Sequence, residues 1–124
     1  MVLHRSACAA TRYAVCRRQF FTVKGSKDER QLIDYQLQME VLGKNLSNAI
    51  ALQLTICDLC QLAKESDQLI AKGSFKLLDI LHHFSSGMKA LATSIVYHGV
   101  DELRQSCGGA GFLLASGIAD WWIE

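Results

Sequence analysis

Proline is absent from this 124-residue chain. Average usage of about 5% would supply about six, so proline-rich linkers, collagen-like repeats and PxxP ligands are excluded and long helices are expected. Acid is missing from the N-terminal part, where Arg5, Arg12, Arg17, Arg18, Lys24 and Lys27 stand without a carboxylate. That stretch carries +6, the remainder −5, and the formal total is +1, so the positive charge is local. A long apolar run is missing too. The longest uncharged stretch, Gln105 to Ala119, contains four glycines and falls short of the roughly 18 apolar residues of a spanning helix, so no membrane span is expected. His4, Arg5 and Arg12 interrupt any secretory signal core, while the acid-free, arginine-bearing opening is compatible with a mitochondrial transit peptide. What is present is 50% hydrophobic residues against 20% charged ones, which argues against disorder and suffices for one packed core.

The five cysteines are odd in number and lack a secretory context, which reads as reduced thiols inside a cell. Cys57 and Cys60 form a CxxC without a second pair and without a preceding strand. Neither a four-ligand zinc site nor a thioredoxin-type site follows from it. His82 and His83 would point about 100° apart on a helix and cannot share one ion. No metal site is expected.

Helical periodicity runs through the chain. From Val2 to about Phe21, Leu3, Ala7, Ala10 and Ala14 share one side while Arg5, Arg12 and Arg18 fall largely elsewhere, predicting an amphipathic helix. Lys24 to Asp28 predicts a surface loop, with Asp28 as cap of a second helix starting near Glu29. That helix carries Ile33, Leu37 and Val41, then Leu46, Ile50, Leu54 and Leu62, with a bend or break expected at Gly43. Ser47 to Ala63 is apolar around much of its circumference, so burial from several sides is expected, within the domain or by a partner. After a connection over Ala71–Ser74, Leu77, Leu81, Phe84, Met88, Leu91 and Ile95 form the cleanest stripe, beside which Gly87, Ala90 and Ser94 would admit another helix. This helix should end near Ser106, before Gly108 and Gly109. The fold class expected is all-α, an antiparallel helical bundle forming a single domain over residues 1–124.

Two segments carry candidate chemistry. Arg17-Arg18-Gln19-Phe20 closes the first helix, and Cys107-Gly108-Gly109-Ala110-Gly111-Phe112 closes the last long one. The glycines do not complete a dinucleotide fingerprint, and they follow a helix where that motif needs a strand. Backbone without side chains can nevertheless approach a phosphate, with an arginine from elsewhere neutralising its charge.

In register, these segments resemble a known family. Arg12-Tyr13 before Arg17-x-Gln-Phe20, Leu32-Ile-Asp-Tyr-Gln-x-Gln38, and Cys107-Gly-Gly-x-Gly-Phe112 followed by Ala115-Ser-Gly117 are similar to the C-terminal helical region of peroxisomal acyl-CoA oxidases, within the wider acyl-CoA dehydrogenase superfamily. The resemblance implies FAD as cofactor, acyl-CoA as substrate of the complete enzyme, a homodimer and a peroxisomal location, the mitochondrial matrix being the alternative. It implies that Arg17 contacts the FAD diphosphate and that Gln19 and Phe20 line its adenosine or flavin side. Gln105, Gly108 and Gly109 would reach the ADP part from the far end of the bundle, and Arg18 would face solvent or an acidic partner. The implied reaction is α,β-dehydrogenation of an acyl-CoA to the trans-2-enoyl-CoA, with oxygen reduced to hydrogen peroxide. The family's catalytic glutamate belongs to a Tyr/Phe-Glu-Gly segment beyond Phe112, whereas Glu124 sits in Trp-Trp-Ile-Glu. No catalytic residue is therefore assigned, and the chain is expected to be a truncated piece, inactive alone. A dehydrogenase fragment and a non-catalytic helical interaction module are the alternative readings. No nucleic acid is expected as a partner, and no membrane span.

Overall fold

The computed structural model describes residues 2–21, 25 and 27–123. Three helices build the molecule: α1 (Val2–Cys16), α2 (Gln36–Ile70) and α3 (Leu78–Ser106). Between α1 and α2 lies a short antiparallel hairpin, β1 (Arg18–Phe21) with β2 (Glu29–Gln31), followed by a 3-10 turn over Leu32–Asp34. Two small helices close the chain, α4 (Gly109–Phe112) and α5 (Ile118–Ile123). The fold is helical, and the chain runs up through α1, down through α2 and up through α3. The C-termini of α1 and α3 and the N-terminus of α2 therefore meet at one end.

The first helix follows its apolar spacing. Leu3, Ala7, Ala10 and Ala14 are fully buried or nearly so, because four-residue and three-residue steps keep them on one face and small alanines let α2 and α3 approach. Residues whose opening composition resembles a transit peptide thus form part of the folded core, with Leu42, Ala49, Leu52, Val100, Leu103, Cys107 and Ile118. Each fully buried leucine contributes about 1.5–3 kcal/mol relative to exposure.

Several expectations change. The first helix stops at Cys16 and does not reach Phe21, because Arg18–Phe21 pairs as a strand. Asp28 caps no helix: Glu29–Gln31 is a strand, and α2 begins only at Gln36. The loop expected over Lys24–Asp28 falls partly outside the described residues. Helix α2 passes through Gly43 without a break. A single glycine costs about 1 kcal/mol in a helix interior, which the burial of Leu42, Asn45 and Ala49 around it outweighs. The connection to α3 is longer than Ala71–Ser74, running to Leu77.

The close helix approach also lies elsewhere. Gly87 has open space around it, and Ala90 and Ser94 are exposed. At Gly99, by contrast, an added Cβ would overlap Asn45 Oδ1 of α2 and press on Leu3 of α1, so this glycine is where the three helices meet. Asn45 is fully buried there, and its Nδ2 donates to Val41 O and to Glu102 Oε2, 3.0 Å in each case. Lys44 pairs with the same Glu102 carboxylate.

By length and composition α2 is apolar enough to cross a bilayer, a test that core helices of soluble proteins also pass. Its Leu42, Asn45, Ala49 and Leu52 are engaged by the bundle, while Leu46, Ile50 and Leu54 are exposed. The domain alone does not bury the apolar Ser47–Ala63 segment from several sides.

Candidate functional site

The end of the bundle where α1, α2 and α3 converge holds a cavity of about 410 Å³. Arg17, Gln19, Gln105, Gly108 and Gly109 all line it, together with Tyr13, Leu32, Gln38, Ser106 and Cys107. Two segments some 90 positions apart in sequence order thus share one wall, as the up-down-up course dictates. Gln105, Gly108 and Gly109 lie at the same end as Arg17; the expectation that they approach from the far end is corrected. Phe20 does not line the cavity. It is 66% exposed at the hairpin.

Arg17 is placed by its backbone. Its N–H donates to Tyr13 O at 2.8 Å, finishing α1, and its carbonyl accepts the Leu32 N–H at 3.0 Å, tying it to the chain beyond β2. The guanidinium is left on the exposed side. Gln31 Nε2 donates to Val15 O at 2.8 Å, and the Tyr35 hydroxyl donates to Gln19 O at 2.9 Å, so the segment is clamped on both sides. Arg18 turns outward and donates to Glu29 O at 3.2 Å.

The hairpin register explains Phe20. Arg18 faces Gln31 and Phe21 faces Glu29, so β1 has one more residue than β2 across the same interval. The extra residue makes a bulge, absorbed by Phe20 at φ 62°. A bulky residue at that φ carries backbone strain.

The other segment of the lining is set by the end of α3. Asp101 accepts from Gln105 Nε2 at 2.7 Å and from Arg104 Nη2 at 2.7 Å, which fixes the amide of Gln105 along the cavity rim. Gly108 turns the chain at φ +57°, and its N–H donates to Gln105 O at 2.9 Å. Gly108 and Gly109 are exposed, so bare backbone faces the cavity. Cys107 is buried beneath them, and burial pushes its thiol up despite an opposing hydrogen bond from Ser106.

Electrostatically the lining is simple. Among the described residues Arg17 is its one charged side chain; the other polar groups are neutral amides, hydroxyls and a thiol, and no described carboxylate lines it. Gln38 Nε2 is shielded from solvent and has no hydrogen-bond partner among the described residues. One cation with neutral donors, bare backbone and no competing anion suits a phosphate-bearing ligand. Tyr13 and Gln38 were not among the expected contacts. Starting α2 at Glu29 hid Gln38, because the actual start at Gln36 puts it in the first turn, at the same end as Arg17. Its presence in the Leu32–Gln38 segment was the available signal.

Elsewhere, Cys57 and Cys60 are free and exposed, and no group of three or more His, Cys, Asp or Glu residues gathers as a metal site among the described residues.

Comparison with known proteins places the chain in a family. The family model for the acyl-CoA oxidase C-alpha1 domain matches residues 1–124. The chain is 36% identical to peroxisomal acyl-coenzyme A oxidase 1 of Arabidopsis thaliana over 95% of its own length, and 34% identical to peroxisomal acyl-coenzyme A oxidase 2 of Mus musculus over 94%. It spans only 18% and 17% of those relatives. Among solved structures, acyl-CoA oxidase-1 of Caenorhabditis elegans, complexed with FAD and ATP, matches with a TM-score of 0.91 at 28% identity, over 98% of this chain and 18% of that one. An acyl-CoA oxidase from tomato (Lycopersicon esculentum) matches with a TM-score of 0.90 at 36% identity, with the same coverage. The chain belongs to the acyl-CoA oxidase family, to which it corresponds as a C-alpha1 domain.

Proposed function

We propose that this chain is the helical part of a peroxisomal FAD-dependent acyl-CoA oxidase, contributing cofactor contacts and subunit surface but no catalytic base. The observation that carries the reading is the convergence of Arg17, Gln19, Gln105, Gly108 and Gly109 on one cavity that no carboxylate among the described residues lines. The relative solved with FAD and the relatives named as peroxisomal support the cofactor and the compartment.

In this reading Arg17 pairs with the FAD diphosphate, its backbone already fixed by Tyr13 and Leu32 so that little order is lost on binding. Gly108 and Gly109 let the ADP part lie against the main chain, and Gln105, oriented by Asp101, borders it. Gln19 reaches the cofactor from the hairpin. Phe20, projecting from the bulge, would meet it only outside this cavity, on a surface completed by other parts of the enzyme. In the complete enzyme bound FAD would supply the redox chemistry of acyl-CoA α,β-dehydrogenation with oxygen as final acceptor, while Arg17, Gln19, Gln105, Gly108 and Gly109 of this chain would hold it. A carboxylate on a segment outside this chain would remove the α-proton. The exposed apolar residues of α2 and α3 would pack against the remainder of the enzyme and a second subunit.

The test is Arg17→Ala in the full-length enzyme. Loss of a charge-assisted phosphate contact is expected to weaken FAD affinity about 10- to 100-fold. Unchanged affinity would remove Arg17 from the cofactor site. The 124-residue chain alone should neither retain yellow flavin nor form peroxide from an acyl-CoA, and oxidase turnover by it would overturn the assigned inactivity.

A further inference from the structure

The CxxC on α2 takes no part in the cavity described above, and its geometry selects a different chemistry from a disulfide. Cys57 and Cys60 are both exposed and both reduced, three residues apart on an uninterrupted helix. At that spacing Cβ atoms lie about 5–6 Å apart. A disulfide needs them within about 3.5–4.5 Å, so closing one would distort the helix. Two sulfurs bridged by one ion sit roughly 4.6 Å apart, twice a metal–sulfur bond of about 2.3 Å, which side-chain rotation alone can reach.

Gln53, one turn before Cys57, donates its Nε2–H to Cys57 Sγ at 3.4 Å. Lys64, one turn beyond Cys60, borders the same shallow hollow of about 590 Å³, which Ile56 and Gln61 complete. Beyond Leu46, Ile50 and Leu54, the helix carries Gln61 and Lys64 beside the pair, with Ile56 as its apolar neighbour.

We propose that Cys57 and Cys60 form a two-coordinate site for one thiophilic monovalent cation, Cu(I). Soft thiolates select such an ion, whereas zinc needs further ligands, and none converges here among the described residues. Binding is a proton exchange: two S–Cu bonds form, two S–H bonds break, two protons go to solvent and the copper stays Cu(I). This inference is independent of the flavin reading.

The experiment titrates the reduced 124-residue chain anaerobically with Cu(I) against the chromophoric competitor bicinchoninate, with circular dichroism as the control for folding. One tightly held ion per chain and two protons released per ion are expected. Cys57→Ser or Cys60→Ser should each lower affinity on the order of 100-fold, since one thiolate is half the ligand set. Cys8→Ser with Cys16→Ser should leave it unchanged. Adding Gln61→Cys to Cys60→Ser should restore binding, because the i,i+4 position is an equally near neighbour, while Leu59→Cys in its place should not. Retention of copper by the Cys57→Ser/Cys60→Ser double variant, its loss in the Cys8/Cys16 variant, or no retention by the parent chain would each overturn the site.

Discussion

Gly111 shows how one missing side chain shapes the candidate cavity. A Cβ there would overlap the backbone carbonyl of Arg104 and press on Cys107, so the Gly-Gly-x-Gly turn folds back onto the end of α3 only with glycine at this position. Gly111→Ala is expected to destabilise the domain by at least about 1–3 kcal/mol, the ordinary cost of overpacking, because the obstructing atoms are backbone and cannot swing aside. A shift of the urea midpoint at unchanged slope would check it. Gly109, with open space around it, should accept alanine at far smaller cost. Cys107 offers a second local test. It is buried while the other four cysteines are exposed, so a maleimide should label four thiols of the native chain quickly and the fifth only on unfolding. Its raised thiol value gives the sign of an alkaline effect. The folded state holds the proton longer than the unfolded chain, so stability is full below the ordinary thiol value of about 8.5 and declines as pH rises above it. The glycine segment was legible in the sequence as special backbone. That Gly111, not its neighbours, is the packed one was not, because the atom it meets is the carbonyl of Arg104, seven residues back in the last turn of α3.

Between α2 and α3 the specific connection is polar. Asn45 is fully buried and bonded to Glu102, and Lys44 completes the group from the exposed side. The hydrogen bonds from Lys44 and then Asn45 hold the Glu102 carboxyl below its usual value. The unfolded chain therefore binds more protons over the acid range. The contribution of this group is present above the unfolded value of about 4.3 and is lost as pH falls through the lower folded value. Urea unfolding followed from about pH 6 down to pH 3 should show this decline, and Glu102→Gln should flatten it while lowering stability near neutrality. Equal acid sensitivity in the variant would remove the carboxylate from that role. The helical stripes themselves were readable from spacing, and Leu3, Ala7, Ala10 and Ala14 occupy the face that spacing assigned. The hairpin was not, because Arg18–Phe21 and Glu29–Gln31 are short, exposed and without strand alternation. Their pairing depends on tertiary ties such as Leu32 N–H to Arg17 O, which no local periodicity encodes.

The three principal helices are unequal partners, and the inequality decides how the isolated chain should behave. Helix α1 has 15 residues, α2 has 35 and α3 has 29, so α1 can cover only part of the hairpin that the two longer helices make. At about 1.5 Å per residue α2 extends roughly 30 Å further than α1. Along this excess the stripe that was cleanest in sequence is only half occupied: Phe84 and Leu91 are 54% and 55% exposed, and on α2 Ile50 and Leu54 are 50% and 62% exposed. Periodicity reports which residues are built to be covered, without reporting what covers them. In a chain spanning 17–18% of its relatives the cover need not be present. Apolar surface on this extent is associative in water. Sedimentation velocity of the 124-residue chain should therefore show concentration-dependent association, with dye binding typical of exposed apolar surface. Ile50→Lys combined with Leu54→Lys should reduce that association without loss of helical signal, since neither side chain belongs to the buried cluster. If the double variant associates as the parent does, α2 is not the adhesive surface. A parent that remains monomeric at all concentrations would show that these side chains fold back on the chain's own helices in solution, and would remove the argument that they are reserved for the rest of the enzyme.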